Sequence, residues 1–298
     1  MSTTEETKEP TTTATLEDGG GEGEGEMVVI NTIPSFASRL NKRADLLRRI
    51  FSFHKTRNPK EYIDLRSSSK LFHRALPLPP LWTSFPHSNY ATLQSLLSRI
   101  EQLHLAGSSG NVPSLLFIEE GEYVAQGKCF VVMRPLSIYG AGREKTTLVG
   151  VSLHIRGMKS NGIVEIEDLK IQGGEGDAGL YADGGMNVIM RGVSIVDCPM
   201  HGVIAWGADI TCDDLQVVGC GHSGVCAANH ATITLSGQGT SIQRNGTSGS
   251  SYDYGLKKNA SSFTKIYLVH PLTKEQISTN NSGGRNWGGG GTIEQVSK

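Results

Sequence analysis

The chain has 298 residues, 37% of them hydrophobic and 19% charged, with a formal net charge of −1. That length holds one large domain and a smaller one. The near-zero charge gives no global field to draw nucleic acid or an anionic membrane, and no apolar run reaches the roughly 18 residues of a transmembrane helix.

The opening MSTTEETKEP is acidic and Thr-rich, the opposite of a secretory signal. Cys129, Cys198, Cys212, Cys220 and Cys226 form an odd set, which suits reduced thiols. Both features predict a cytoplasmic or nuclear location and make the sequons at Asn245, Asn259 and Asn280 chance matches. Residues 1–26, with TTTAT and LEDGGGEGEGE, carry too little apolar surface to offset their ordering entropy and are predicted to form a disordered tail.

Residues 27–86 change character. Leu46, Leu47, Ile50 and Phe51 recur at helical spacing with basic residues on the other face. A second short helix carries Leu65, Leu71 and Phe72, and Pro77, Pro79 and Pro80 end it. Ile33-Pro34, LLRRIFSF, SSSKLFHRAL and the closing LPPLW with Trp82 resemble an F-box, the helical motif by which substrate receptors dock on the adaptor of cullin ubiquitin ligases. The resemblance implies that Ile33, Pro34, Leu46, Leu47, Ile50, Phe51, Leu65, Leu71, Phe72 and Trp82 form an adaptor-binding face. The alternative reading is a helical cap with similar spacing.

Residues 87–110 predict a capping helix and linker, with Leu93, Leu96, Leu97, Ile100 and Leu103 on one face and Gly107 as its stop. From 111 to 270 short strands dominate, and between Ile163 and Asn245 the chain repeats itself. IEDLKIQGGEGDAGLYADGG, MRGVSIVDCPMHGVIAWGAD and CDDLQVVGCGHSGVCAANHA share Leu169/Val193/Leu215, Ile171/Ile195/Val217 and Gly179/Gly202/Gly224. The pattern is two-fold with glycine or polar corners, and its period lies in the low twenties. Stacked coils at about 4.8 Å spacing would turn each set of landmarks into an internal ladder. The helix, the strand ending in Glu-Gly-x-Tyr, and LSIYGAG with TTL beyond it are similar to the opening coils of the pectin-lyase-like superfamily. The expected fold is thus mainly β: a right-handed parallel β-helix behind a small helical module and a disordered tail. Residues 271–298 read as a Gly-rich segment, in which NNSGGRNWGGGG is a flexible loop.

Two glycine motifs mislead. Gly174-x-Gly176-x-x-Gly179 and Gly219-x-Gly221-x-x-Gly224 fit a dinucleotide fingerprint, but no helix follows to receive a pyrophosphate. They predict coil corners where glycine supplies positive φ. GAGREKTT has Glu144 where a phosphate-binding loop needs glycine.

Aligned on the leucine ladder, Glu167, Arg191 and Asp213 share one column, and Asp168, Gly192 and Asp214 the next. Polysaccharide lyases of the resembled superfamily use calcium held by acidic groups and a basic residue, so Glu167, Asp168, Arg191, Asp213 and Asp214 are the candidate glycan and calcium corner. The other reading is a charge ladder contributing at most about 1 kcal/mol. Asp177, Met200 and His222 share a further column with His201 one place on, and Cys198 stacks on Cys220. A zinc set of Cys198, Cys220, His201 and His222 would need tetrahedral convergence, whereas stacked residues form a row. Trp206 lies beside the column of Asp183 and Ala228, placed to stack on a sugar or to pack.

The expected function is therefore non-enzymatic protein binding, with no cofactor and no metal. The chain would be the substrate receptor of a cullin-type ubiquitin ligase, its β-helix presented to a protein client. The alternatives are a carbohydrate-binding or lyase-like β-helix and a structural β-helix with a helical cap.

Overall fold

The computed structural model describes residues 82–106, 112–261, 263–282 and 285–297. The proposed docking residues Ile33, Pro34, Leu46, Leu47, Ile50, Phe51, Leu65, Leu71 and Phe72 lie outside that range, as does the expected tail. The described chain is a parallel β-solenoid of about 7 turns with few helices.

Two sheets run the length of the coil. Sheet I has nine parallel strands, from Trp82–Phe85 and Leu115–Ile118 through Ile163–Glu167, Asn187–Arg191, Asp209–Asp213 and Thr232–Ser236 to Lys265–Val269 and Ile293–Val296. Sheet II has twelve strands and is organised by one long strand, Thr146–Arg156. Its first half pairs with Lys170–Gln172 and starts a limb of short strands. Its second half pairs with Ala178–Asp183 and starts a second limb, continued by His201–Trp206, Val225–Ala228, Leu256–Lys258 and Trp287–Gly288.

The repeat landmarks become the core. Leu169, Val193 and Leu215 are fully buried, and Ile171, Ile195, Val217 and Ile242 pair in register as a buried aliphatic row. Because side chains alternate across a strand, the residues between the landmarks face outward, and sequence period two sets which face is wet.

The turns between strands use single left-handed residues at stacked positions. One corner column holds Asp168 (φ 53°), Gly192 (59°), Asp214 (54°) and Gly237 (85°), and a second holds Gly173, Asp197, Gly219 and Arg244. Each such residue still joins the ladder: the Asp168 N–H donates to the Arg191 carbonyl at 2.9 Å, and the Asp197 N–H to that of Val218 at 2.9 Å. Asp and Gly are the residues that tolerate this backbone region best.

The landmark glycines depart from the expected role. Gly179, Gly202 and Gly224 do not have positive φ. They are glycines for want of room: a Cβ on Gly202 would lie 2.3 Å from Val217 Cγ1 and 2.6 Å from the Gly224 carbonyl oxygen. Here the backbone of one limb passes against the aliphatic row of the other.

The capping helix, α1, spans Leu93–Leu105 and packs on the strand Gly121–Val132. Thr92 and Ser95 form a reciprocal capping box. Leu93, Leu96, Leu97 and Ile100 are buried as expected, but the last buried position of that face is His104, while Leu103 is half-buried. Both His104 ring nitrogens are buried without a hydrogen-bond partner, and burial followed by the nearby Arg134 charge lowers its pKa from 6.5.

Two expectations change in the structure. Trp82, expected to close the docking motif, begins the strand Trp82–Phe85, which pairs residue by residue with Leu115–Ile118. Its side chain packs on Leu115, Phe117 and Tyr139, so it belongs to the β-helix. The Gly-rich C-terminal segment is another coil: the strands Ser278–Thr279, Trp287–Gly288 and Ile293–Val296 each extend a preceding column.

Gly202→Ala should cost about 1–3 kcal/mol by overpacking; urea unfolding would measure it, and an unchanged midpoint would show that the two limbs can part without cost. Because the folded His104 resists protonation, the unfolded chain binds more protons below pH 6.5. Stability is then full above that value and falls as pH drops through the lowered folded pKa. His104→Leu should flatten the slope of thermal midpoint against pH between about 6.5 and 5, and an unaltered slope would assign it to other groups.

Candidate functional site

The expected acidic corner lies on the outer face of sheet I. Parallel register places Glu167 beside Arg191 and Arg191 beside Asp213. The Arg191 guanidinium bonds the buried Glu167 carboxylate and lies 3.8 Å from Glu165. Glu165 also accepts from the Tyr139 hydroxyl at 2.7 Å and from Ser137 at 3.3 Å, and Asp213 accepts from Ser236 at 2.9 Å. Burial and the Glu165 contact hold the Tyr139 phenol well above its ordinary pKa, so it stays a donor. Asp168 and Asp214 are left-handed corner residues, and the Asp214 carboxylate accepts the Gly239 N–H at 2.7 Å. The structure thus brings Glu167 and Arg191 together and gives Asp168 and Asp214 a turn-forming role. Among the described residues, no group of three or more His, Cys, Asp or Glu side chains is placed to hold a metal ion.

The imagined zinc set divides between two environments. Cys198 and Cys220 stack inside the core, 1% and 0% exposed, whereas His201 and His222 stack on the outside with ring centroids 5.2 Å apart.

The second limb of sheet II carries a different outer face. Register sets His154 beside Tyr181, Tyr181 beside Ile204, and Ile204 beside Cys226; the next outward column is Arg156, Asp183, Trp206 and Ala228. The His154 and Tyr181 rings stack at 4.8 Å with 24° between planes. Asp183 lies 3.4 Å from the Arg156 guanidinium and 3.2 Å from His154 Nε2, the latter at ion-pair distance but not aligned as a hydrogen bond. Trp206 stands 47% exposed beside Asp183.

A cleft of ≈ 320 Å³ opens at the start of this face, bordered by Ser152, His154, Glu175, Asp177, Tyr181 and Met200. Burial, and secondarily Asp183, raises the Tyr181 phenol pKa, which keeps its hydroxyl a donor. Glu175 and Asp177 are exposed at the cleft rim. Along the coil axis the row of Asp177 and Met200 continues to His222, whose N–H donates to the Met200 carbonyl at 2.9 Å. His222 Nδ1 lies 2.9 Å from Asp253 Oδ2, and the Ser248 hydroxyl donates to the same oxygen at 3.0 Å. Asp253 is 3% exposed. Burial, then the His222 and Lys257 charges, lowers the His201 pKa, so His201 is neutral near pH 7.

The columns of Asp177, Met200 and His222 and of Asp183, Trp206 and Ala228 are those the repeat alignment predicts. Tyr181 and Glu175 lie within the repeat, but their columns hold Ile204 and Cys226, and Cys198 and Cys220, so no shared chemistry marks them. His154 escaped sequence reasoning because one long strand serves both limbs, and no repeat landmark reveals that. Asp253 escaped it because it lies in a Ser-rich insertion, TSGSSYDY, with no counterpart in the other coils.

No protein-family profile and no curated protein matches the chain. Among solved structures it is similar to the catalytic domain of a GH87 alpha-1,3-glucanase in complex with tetrasaccharides, at 16% identity over 74% of this chain and 46% of that one, with a TM-score of 0.44. It is similar also to such a domain in complex with nigerose, at 17% identity over 65% of this chain and 32% of that one, TM-score 0.42. The chain spans less than half of those domains, and no residue's role is carried across from them. The expectation of a non-enzymatic ubiquitin-ligase receptor is overturned: the similar structures are sugar-bound glycoside hydrolase catalytic domains, and Trp82 is part of the coil.

If the acidic corner is held by its own ion pairs, Arg191→Met should destabilise the fold by about 2 kcal/mol. That lies between the values for exposed and buried pairs, because the arginine is partly exposed and Glu167 is not. Adding Glu167→Gln should recover part of the loss, and added calcium should change neither variant's unfolding midpoint. A calcium-dependent rise in the wild-type midpoint that Arg191→Met abolishes would restore the metal reading.

Proposed function

We propose that the chain is a carbohydrate-active protein that binds a glycan along the outer face of the second limb of sheet II. The observation that supports this is the exposed Trp206 indole in register with the Asp183 carboxylate, on the coil next to that of Tyr181, Glu175 and Asp177, which border the cleft. Sugars present apolar C–H faces that cover aromatic rings and equatorial hydroxyls that bond carboxylates, and ligand sites combine apolar walls with a few convergent polar groups. Columns of side chains at about 4.8 Å spacing give such a face a repeating pitch, which suits a chain-like ligand lying across the coils.

Glu175 and Asp177 are the carboxylates we assign to acid–base work in the cleft. Glycoside cleavage uses a pair of such groups, one protonated and one ionised. The coil is taken as right-handed, the hand adopted by about 98% of crossovers between parallel strands of one sheet.

The test is calorimetric titration of the full chain with neutral and acidic oligosaccharides, α-1,3-linked gluco-oligosaccharides among them. Trp206→Ala should weaken binding about tenfold, the loss of one aromatic contact of roughly 1.4 kcal/mol. Asp177→Asn should leave binding within about threefold while lowering any cleavage seen. No binding across the panel, or equal binding by Trp206→Ala, would overturn the reading.

A further inference from the structure

His222 and Asp253 form an arrangement that the glycan-binding face does not require. Asp253 is 3% exposed, yet its carboxylate is held on His222 Nδ1 at 2.9 Å and takes a second hydrogen bond from Ser248 at 3.0 Å. An ionised carboxylate only accepts, so this contact fixes the His222 tautomer with its proton on Nδ1. In the neutral imidazole, the form that acts as a base, Nε2 then carries the lone pair. Among the described residues no group bonds Nε2, and the His222 side chain is 29% exposed. The ring beside it is His201, at 5.2 Å, whose Nδ1 is buried without a hydrogen-bond partner. Lys257, in register with Cys226 on the adjoining coil, adds a positive charge close enough to act on His201.

We propose that His222, oriented by Asp253 and Ser248, is the general base of a second site that hydrolyses O-acyl esters of a bound sugar. Only the sugar part of that substrate rests on the glycan-binding reading. In the step, His222 Nε2 takes a proton from water as the water oxygen bonds to the ester carbonyl carbon. The carbonyl π pair moves onto its oxygen, where the His201 imidazole and the Lys257 ammonium stabilise the charge. The intermediate collapses, the bond to the sugar oxygen breaks, and that oxygen takes the proton back from Nε2. Water is the only co-reactant, and one imidazole serves as base and then as acid. An ester carbonyl suits this base better than a glycosidic bond, which needs a separate acid for its leaving oxygen. His222 is thus the catalytic residue, and Asp253 and Ser248 are positioning residues.

The experiment follows hydrolysis of p-nitrophenyl acetate by the full chain between pH 5 and 9, with the circular dichroism of each variant recorded. His222→Ala should lower the rate about 100-fold, and free imidazole should restore part of it. His222→Gln provides a second variant of similar size if the alanine chain fails to fold. Asp253→Asn should lower the rate about tenfold and change the pH profile, which a merely structural role would not do in a folded chain. A wild-type rate no higher than that of a folded His222 variant would overturn the proposal. A second arm uses an O-acetylated oligosaccharide. Trp206→Ala should slow release of acetate from it about tenfold. Ester hydrolysis with no effect of Trp206→Ala would keep the ester site and remove the glycan-binding face as its substrate platform.

Discussion

The fold depends on one backbone constraint: each coil must turn within single residues that adopt a left-handed conformation without leaving the hydrogen-bond ladder. Columns of Asp168/Gly192/Asp214/Gly237 and Gly173/Asp197/Gly219/Arg244 meet it. The alternation of aspartate and glycine has a steric cause. A Cβ on Gly192 would lie 2.5 Å from the Asp168 carboxylate, one on Gly219 2.5 Å from that of Asp197, and one on Gly237 2.4 Å from that of Asp214. An aspartate at one corner therefore occupies the space over the next and forces glycine there. The strands follow from the turns. With corners at fixed places, period-two patterning sends Leu169, Val193 and Leu215 inward and leaves the alternate residues to solvent.

That constraint also explains why an acidic column in the sequence misleads. Asp168 and Asp214 look like ligands when only their chemistry is considered, yet they occupy positions that tolerate few other residues. Backbone conformation is not written in residue chemistry, so a corner aspartate and a metal-binding one read alike. Gly179, Gly202 and Gly224 show the converse. Their repetition marks the coil correctly, but the reason is the close approach of Ile195, Val217 and Ile242, which only the stacking of two limbs creates.

The architecture was therefore more legible than the site. A period in the low twenties with aliphatic landmarks dictates stacked parallel coils, and the structure has them. The helix was visible from its spacing because its burial is local to one face; His104 was not, since nothing in the pattern distinguishes a buried imidazole from a solvated one. Of the docking motif only Trp82 falls among the described residues, and it lies in a strand of the coil. The outer face of the second limb was half visible. Columns carried Asp183 to Trp206 and Asp177 to His222, but the long strand that brings His154 alongside Tyr181, and the insertion that brings Asp253 to His222, are tertiary events without a repeat signature.

The two outer faces differ in what their polar groups have left to offer. On sheet I, Tyr139, Ser137, Arg191 and Ser236 meet Glu165, Glu167 and Asp213 in a network that closes on itself. A ligand there would have to displace bonds already made, and each displaced buried group would carry the cost of losing its partner. On the second limb of sheet II the groups are arranged outward. The Glu175 and Asp177 carboxylates make no hydrogen bond or ion pair among the described residues, Trp206 is half exposed, and the buried Asp253 holds His222 by one nitrogen. Unused hydrogen-bonding capacity beside exposed aromatic surface is what a ligand can engage without first dismantling the protein. That asymmetry, rather than the number of charges on either face, directs both the glycan and the ester chemistry to the second limb.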